Sequence, residues 1–323
     1  MTDVIFNSSL DPYFNLAAEQ YLLERRDTAP VFMLWRNSPA VIIGKNQNAY
    51  AELNEAFIRE NDIKVVRRLT GGGAVFHDYG NVNYTFISPK QGANALDFAR
   101  FCAPIIEALC TLGAKAVLSG RNDIEIDGRK VSGNAQTVCG DRILHHGTLL
   151  WSADLSKLAG ALKVDPEKIA SKGIKSVRSR VANIRDLIGS EMDTLEFISF
   201  LFSCADAPFR EFTRAEIDSI NELRDSRYST WEWNWGSSKD FSAKRSRRFG
   251  YGKVEVSLDS YGGIITAISI GGDFFGQKEI CLLEERLIGI RLEFDALTAA
   301  LSDVNDYISG ARPSDIASLI LSF

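Results

Sequence analysis

Arg67-Arg68-Leu69-Thr70-Gly71-Gly72-Gly73-Ala74-Val75-Phe76-His77-Asp78 is the stretch from which the fold is best read. Two arginines end an apolar run, three glycines follow, and a second apolar run opens at Ala74. Consecutive glycines are poor in strand or helix interiors because each loses much backbone entropy on ordering. The pattern predicts strand–turn–strand, with positive φ or a close approach to the backbone inside the turn. Bare N–H groups beside two guanidinium groups suit an anion such as a phosphate. A solvated turn gives the same pattern, so the choice rests on its companions.

The neighbouring segments read as short strands with few helices. Asp11-Pro12 caps and starts a helix that runs to Arg25-Arg26 with Phe14, Ala17, Ala18, Tyr21 and Leu22 at helical spacing. Val31–Trp35 and Ala40–Ile43 are continuous apolar runs joined by Asn37-Ser38-Pro39, and read as neighbouring buried strands. A helix is predicted from about Ala51 to Glu60, then a strand from Ile63 into the glycine turn. Asp97–Leu112 is helical and Gly113 stops it. Asp127-Gly128 between two alternating runs marks a hairpin. Asp154–Leu162 reads as a short helix and Asp193–Leu223 as helical. The polar, basic segment Ser237–Arg248 reads as a linker, placing a catalytic unit at 1–240 and a small α+β accessory unit at 246–323. The fold class is α+β with a mostly antiparallel sheet.

Composition narrows the function classes. The 323 residues are 45% hydrophobic with a net charge of −5, which gives no electrostatic case for nucleic acid or an anionic membrane. No apolar run reaches the roughly 18–20 residues needed to span a bilayer. The N-terminus lacks a basic region followed by an apolar core, so no secretory signal is expected. Cys102, Cys110, Cys139, Cys204 and Cys281 are scattered, with no C-x-x-C pair, and read as reduced thiols in a cytoplasmic protein without a zinc site.

Three further segments carry chemistry. In Gly120–Gln136, Lys130 and Ser132 point to one face of a strand and Val131 to the other. Lys130 presents a point charge suited to a phosphoryl oxygen or an activated carboxylate, or else a solvated hairpin lysine. Asp123 and Glu125 lie opposite Ile124 and Ile126; Asp123 is a weak candidate for Mg²⁺, or simply part of a wet face. In His145-His146-Gly147-Thr148 the two imidazoles face opposite sides of a strand, one to a site and one away. His77 reads as a pocket-wall residue rather than a general base. Lys172–Arg180 is rich in cations and would suit an acidic protein partner or solvent.

Arg68–Asp78, Asp127–Gln136, His146–Leu150 and Ser176–Asn183, in that order and at that spacing, resemble the lipoate–protein ligase A family, as do Asp11–Ala17 and Trp231–Gly236. The resemblance covers nearly the whole chain. It implies a biotin/lipoate-ligase-type catalytic fold with an accessory domain, and a two-step reaction. Lipoate and ATP form lipoyl-adenylate, and a lysine of a carrier domain then takes the acyl group. It further implies that Arg68, Gly71, Gly72, Gly73, Ala74, Val75, Phe76 and Lys130 bind ATP and lipoyl-AMP, with Lys130 catalytic. Thr70, His77, Ala135 and His146 are then candidates for the lipoate pocket. Mg²⁺ accompanies ATP. The implied partners are apo lipoyl domains of 2-oxoacid dehydrogenase E2 subunits and the glycine cleavage H protein, and the enzyme is expected to be a monomer.

The rivals differ in chemistry. An octanoyl or lipoyl transferase working through a thioester needs a cysteine nucleophile near Lys130 or in the Lys172-Gly173 loop, and none is there. A biotin–protein ligase would carry a different arginine–glycine loop. An amidotransferase using preformed lipoyl-adenylate, or a non-catalytic lipoate-binding regulator, would keep the fold without the activation step.

Overall fold

The computed structural model describes residues 2–25, 29–90, 96–162, 181–205, 207–235 and 243–322. Its centre is a seven-stranded sheet in the order β1-β2-β6-β10-β9-β8-β7. These strands are β1 Asp3–Asn7, β2 Val31–Trp35, β6 Asn81–Pro89, β10 Arg142–Leu150, β9 Arg129–Cys139, β8 Asp123–Ile126 and β7 Ala116–Ser119. Only β1 and β2 run parallel in it; every other pairing is antiparallel. The β8–β9 turn places Asp127 at φ 49° and Gly128 at φ 73°, the two positive values that a two-residue hairpin of matching twist requires.

A three-stranded sheet, β4 (Lys64–Arg67), β3 (Ala40–Ile43) and β5 (Val75–His77), stands against one face of the larger sheet. The helix Pro12–Glu24 packs with both. Asp11 caps it by accepting from the Tyr13 N–H, and Pro12 sits at its first turn, where no backbone donor is needed. Helices Phe98–Thr111 and Thr194–Cys204 cover the opposite face of the large sheet through Cys102, Ile105, Leu109, Phe197 and Leu201.

Besides the helix expected over Ala51–Glu60, which is two helices, Ala49–Glu52 and Glu55–Glu60 with its own cap at Asn54, sequence and structure differ in three places. β2 and β3 are not neighbours: β2 pairs with β1 and β6, whereas β3 pairs with β4 and β5. Both runs are buried throughout, and an unbroken apolar run specifies a buried strand without naming its partner. Asn37 turns the chain from one sheet to the other, its side chain bonded to Asn15 and His77. Second, the Asp193–Leu223 run breaks into Thr194–Cys204 and Arg214–Leu223, each opened by its own capping box.

Third, residues 243–248 are not linker. They belong to β11 (Ala243–Phe249), which pairs with β12 (Gly252–Tyr261), itself paired with β13 (Ile264–Gly272). The C-terminal sheet therefore begins at Ala243 rather than 246. Lys244, Arg245, Arg247 and Arg248 are exposed on its edge strand, which explains why the run looked like a solvated connector. Helices Ile280–Leu287 and Pro313–Ile320 close this unit over a core of Val254, Val256, Ile268, Leu283 and Ile316.

Candidate active site

A cavity of about 640 Å³, counted to its open mouth, lies between the small sheet and the inner face of the large one. One wall is the glycine turn joining β4 to β5. Adjacent Arg67 and Arg68 have different duties there. The Arg67 guanidinium donates to the carbonyls of Gly44, Lys45, Gln47, Trp233 and Asn234 at 2.6–3.0 Å, behind the cavity. Arg68 lies in the wall. Its Nε donates to Thr70 Oγ1 at 2.8 Å, Nη1 to the Ile42 carbonyl at 3.1 Å, and Nη2 to the carbonyls of Gly71 and Gly73 at 2.7 and 2.8 Å. Burial lowers both guanidinium groups to about 10, so they remain charged at neutral pH.

The three glycines serve three situations. At Gly71 an added Cβ would stand 2.2 Å from the Phe274 carbonyl oxygen, so its bareness admits the C-terminal unit. Gly72 has φ 92°, and its N–H donates to the same carbonyl at 3.2 Å. Gly73 meets nothing within 4 Å and is exposed. Beyond the turn, β5 alternates: Val75 and His77 line the cavity, while Phe76 points away to pack with Val41, Ile43 and Val65. Phe76 and Gly71 are thus not cavity residues, although Arg68, Gly72, Gly73, Ala74 and Val75 are.

The opposite wall comes from β9 and β10 and includes Lys130, Gly133, Ala135, His146 and Thr148. Lys130 Nζ is 2.8 Å from Asp123 Oδ1, with both side chains about one-third exposed at 37% and 32%. Gly133 leaves room for this: a Cβ there would be 3.1 Å from Nζ. Asp123 is therefore the counter-ion of Lys130. Among the described residues no three His, Cys, Asp or Glu side chains gather as a metal site. That donor set does not fit a resident Mg²⁺.

His146 faces the cavity and His145 the helix Phe98–Thr111. His145 stacks on Phe101 at 5.1 Å and bonds Gln136 through Nδ1 at 2.8 Å, and burial holds it neutral, well below the usual imidazole range. His146 Nδ1 donates to Glu19, whose oxygens are both at 2.9 Å, and Nε2 is 2.8 Å from Thr70 Oγ1. Thr85 Oγ1 donates to Glu19 at 2.6 Å and accepts from Trp35 Nε1 at 2.9 Å. Thr70 does not line the cavity; it ties Arg68 to this buried network.

Sequence reading missed Glu19, Asn37, Asn83 and Phe275. A signal existed for Glu19, a carboxylate set among Leu16, Ala17, Ala18, Leu22 and Leu23. Phe275 had none, because it reaches the cavity wall from the C-terminal unit, where Arg121 lies 4.4 Å over its ring. The loop Lys172–Arg180 lies outside the described residues.

A family model described as the lipoyl protein ligase A/B catalytic domain matches residues 11–204. The chain belongs to the lipoate–protein ligase family. A second model, for the bacterial lipoate protein ligase C-terminus, matches residues 238–320 of this ligase. Lipoate-protein ligase LplJ of Bacillus subtilis is 41% identical over 96% of this chain and 97% of its own length. Among solved structures, P. falciparum LipL1 in complex with lipoate superposes over the whole of both chains with a TM-score of 0.83 at 24% identity, a likeness of fold. A bi-partite lipoate protein ligase of Thermoplasma acidophilum, studied with its E2 lipoyl domain, is 28% identical with a TM-score of 0.65 over 75% of this chain and 99% of that one. A lipoate-protein ligase A bound with ATP is 26% identical with a TM-score of 0.62 over 73% and 98%.

Proposed function

We propose that this ligase activates lipoate with ATP in the cavity between the two sheets and passes the lipoyl group to a lysine of an apo carrier domain. The observation that carries the site assignment is the pairing of walls: a turn pinned by the buried Arg68 faces a partly exposed lysine, Lys130, which among the described residues is ion-paired to Asp123. The shared name and full-length likeness of the relatives support the substrate, and the ATP-bound relative supports the nucleotide.

In the first step a lipoate carboxylate oxygen attacks the α-phosphorus of ATP, and the bond to pyrophosphate breaks. The substrate supplies the nucleophile, so no protein nucleophile is required. Gly72 to Ala74 let the adenylate lie along the backbone. Leu16, Trp35, Ile42 and Val75 line the apolar part of the cavity and suit the acyl chain. Lys130 turns from Asp123 towards the carboxylate and α-phosphate oxygens, where negative charge develops, and one such interaction is worth about 10²–10³ in rate. Mg²⁺ enters with ATP as part of the substrate. In the second step the carrier's neutral ε-amine attacks the acyl carbon, the bond to the phosphate oxygen breaks with its electron pair, and AMP leaves.

The carrier domains we propose are those of 2-oxoacid dehydrogenase E2 subunits and the glycine cleavage H protein, met by a monomeric enzyme in the cytoplasm. The E2 lipoyl domain paired with the Thermoplasma relative supports the first, and the five unpaired cysteines suit a reducing compartment. No helix among the described residues is long and apolar enough to cross a membrane. The test is a mass measurement on an apo E2 lipoyl domain after incubation with enzyme, lipoate, ATP and Mg²⁺. A lipoyl increment that requires ATP and disappears with Lys130→Ala is the expected result; transfer without ATP overturns the reading.

A further inference from the structure

The buried end of the cavity holds a hydrogen-bond donor with nothing to receive it. Leu16, Trp35, His77 and Asn83 line this end and are at most 3% exposed. The proton on His77 is placed by a chain of side chains leading back to the main chain. Asn15 Nδ2 donates to the carbonyls of Ser9 and Arg36 at 2.9 and 3.0 Å, which fixes which end of the Asn15 amide is nitrogen. The same nitrogen donates to Asn37 Oδ1 at 2.8 Å, so Asn37 presents its Nδ2 to His77 Nδ1 at 3.0 Å. Nδ1 must accept, and in a neutral ring the hydrogen therefore sits on Nε2. Burial, with the nearby charges of His146 and Arg68 adding to it, lowers His77 to about 3, so the ring is neutral. Nε2 is buried and has no partner among the described residues.

Asn83 repeats the situation beside it. It stands opposite Trp35 in the β2–β6 register, its Oδ1 accepts from Asn81 Nδ2 at 2.9 Å, and its Nδ2 is buried and unpartnered. Buried polar atoms without partners are uncommon, and two in one cavity end mark a place where a bound molecule supplies the acceptor. A saturated hydrocarbon tail has none to offer. A cyclic disulfide has two sulfurs, which are weak acceptors and polarisable.

We infer that the His77 Nε2–H, held in that tautomer by Asn37 and Asn15 and aided by Asn83, makes this cavity select an acyl chain ending in a sulfur-containing ring over an all-carbon chain of the same length. The inference rests on the proposed activation of lipoate in this cavity. It makes His77 a specificity residue of the acyl site, with no part in proton transfer.

The experiment compares kcat/KM for lipoate and octanoate, with ATP, Mg²⁺ and an apo E2 lipoyl domain, in the wild type and in His77→Phe, which keeps an aromatic ring and removes the donor. The wild type is expected to favour lipoate, and the variant to lose about three- to tenfold of that ratio, read as the lipoate/octanoate ratio of kcat/KM whatever happens to either rate alone. His77→Gln, which restores an N–H donor, is expected to recover part of it. An unchanged ratio in His77→Phe overturns the inference. Should the variant misfold, ¹⁵N-resolved NMR of the wild-type histidines decides: an Nε2–H tautomer whose resonance moves with lipoate and not with octanoate supports it. An Nδ1–H tautomer, or equal shifts with both acids, overturns it. Absence of any acyl transfer by the wild type would remove the ligase reading instead, and the NMR result would still decide the role of His77 in acid binding.

Discussion

The two walls of the cavity are held in different ways. On the turn side, Arg67 fastens five carbonyls from two distant segments, Arg68 fastens three carbonyls and Thr70, and the C-terminal unit closes on Gly71 and Gly72. On the opposite side the cation among the described residues, Lys130, is about a third exposed and held by an ion pair to a similarly exposed Asp123. The first wall is built to keep its shape and the second to change partners. Charge density alone does not distinguish a committed cation from an available one here: the arginines have most of their donors committed to carbonyls, and the lysine does not.

Mutation separates the two walls. Lys130→Ala should lower ATP-dependent lipoylation by about 10³-fold, or roughly 4 kcal/mol of transition-state stabilisation, in a single-turnover assay. Its unfolding midpoint should barely move, because an ion pair this exposed contributes about 0–1 kcal/mol. Arg67→Ala should do the reverse. Five carbonyls lose their donor, and a loss of at least about 3 kcal/mol is expected in denaturant unfolding. If Arg67→Ala kept full stability, the turn wall would not be the fixed one.

Acid should weaken the buried histidines first. His77 falls from 6.5 to about 3 in the folded state, and His145 is also held well below 6.5. Their neutral forms are favoured by folding, so the unfolded chain binds more protons between those values. Stability is fully present above about pH 6.5 and falls as pH drops, by about 1.4 kcal/mol per unit for each histidine. Urea midpoints measured from pH 7 to 5 check this, and His145→Phe should flatten the slope.

The glycines give the smaller effects. Gly71→Ala must push the Phe274 carbonyl away, at about 1–3 kcal/mol, and should expose the contact between the turn and the C-terminal unit to limited proteolysis. Gly73→Ala should change stability by no more than about 0.5 kcal/mol, since nothing stands within 4 Å and its φ is not positive. Equal effects at both positions would mean that the triplet acts as one flexible unit.

Much of this was legible in the chain. The glycine turn, the Asp127-Gly128 hairpin and the Asp11-Pro12 helix start are local, because each depends on residues that adjoin in sequence. The antiparallel character of the large sheet followed from the hairpin signals. The partner of β3 was not legible, since a fully apolar strand has no periodicity to say which sheet it joins. Nor was the division of labour between Arg67 and Arg68, which depends on whether carbonyls from residues 44–47 and 233–234 converge on one or the other. Phe76 packs away from the cavity because β5 alternates with period two, so a motif continuous in sequence does not give a continuous lining. The hydrogen bonds of Glu19 and His77 join at least four elements, so the residues themselves could be read in the chain but their partners could not.

The strand β11 has one further consequence. A sheet that ends in open backbone N–H and C=O groups can be extended by the same edge of another molecule. Along this edge Lys244, Arg245, Arg247 and Arg248 are exposed, with Glu255 paired to Lys244 and Asp273 to Arg248. Two such edges brought together would set eight cations against four carboxylates. The basic run that reads as a linker thus sets like charge against like wherever two such edges meet, on the side of the C-terminal unit where no further strand pairs among the described residues.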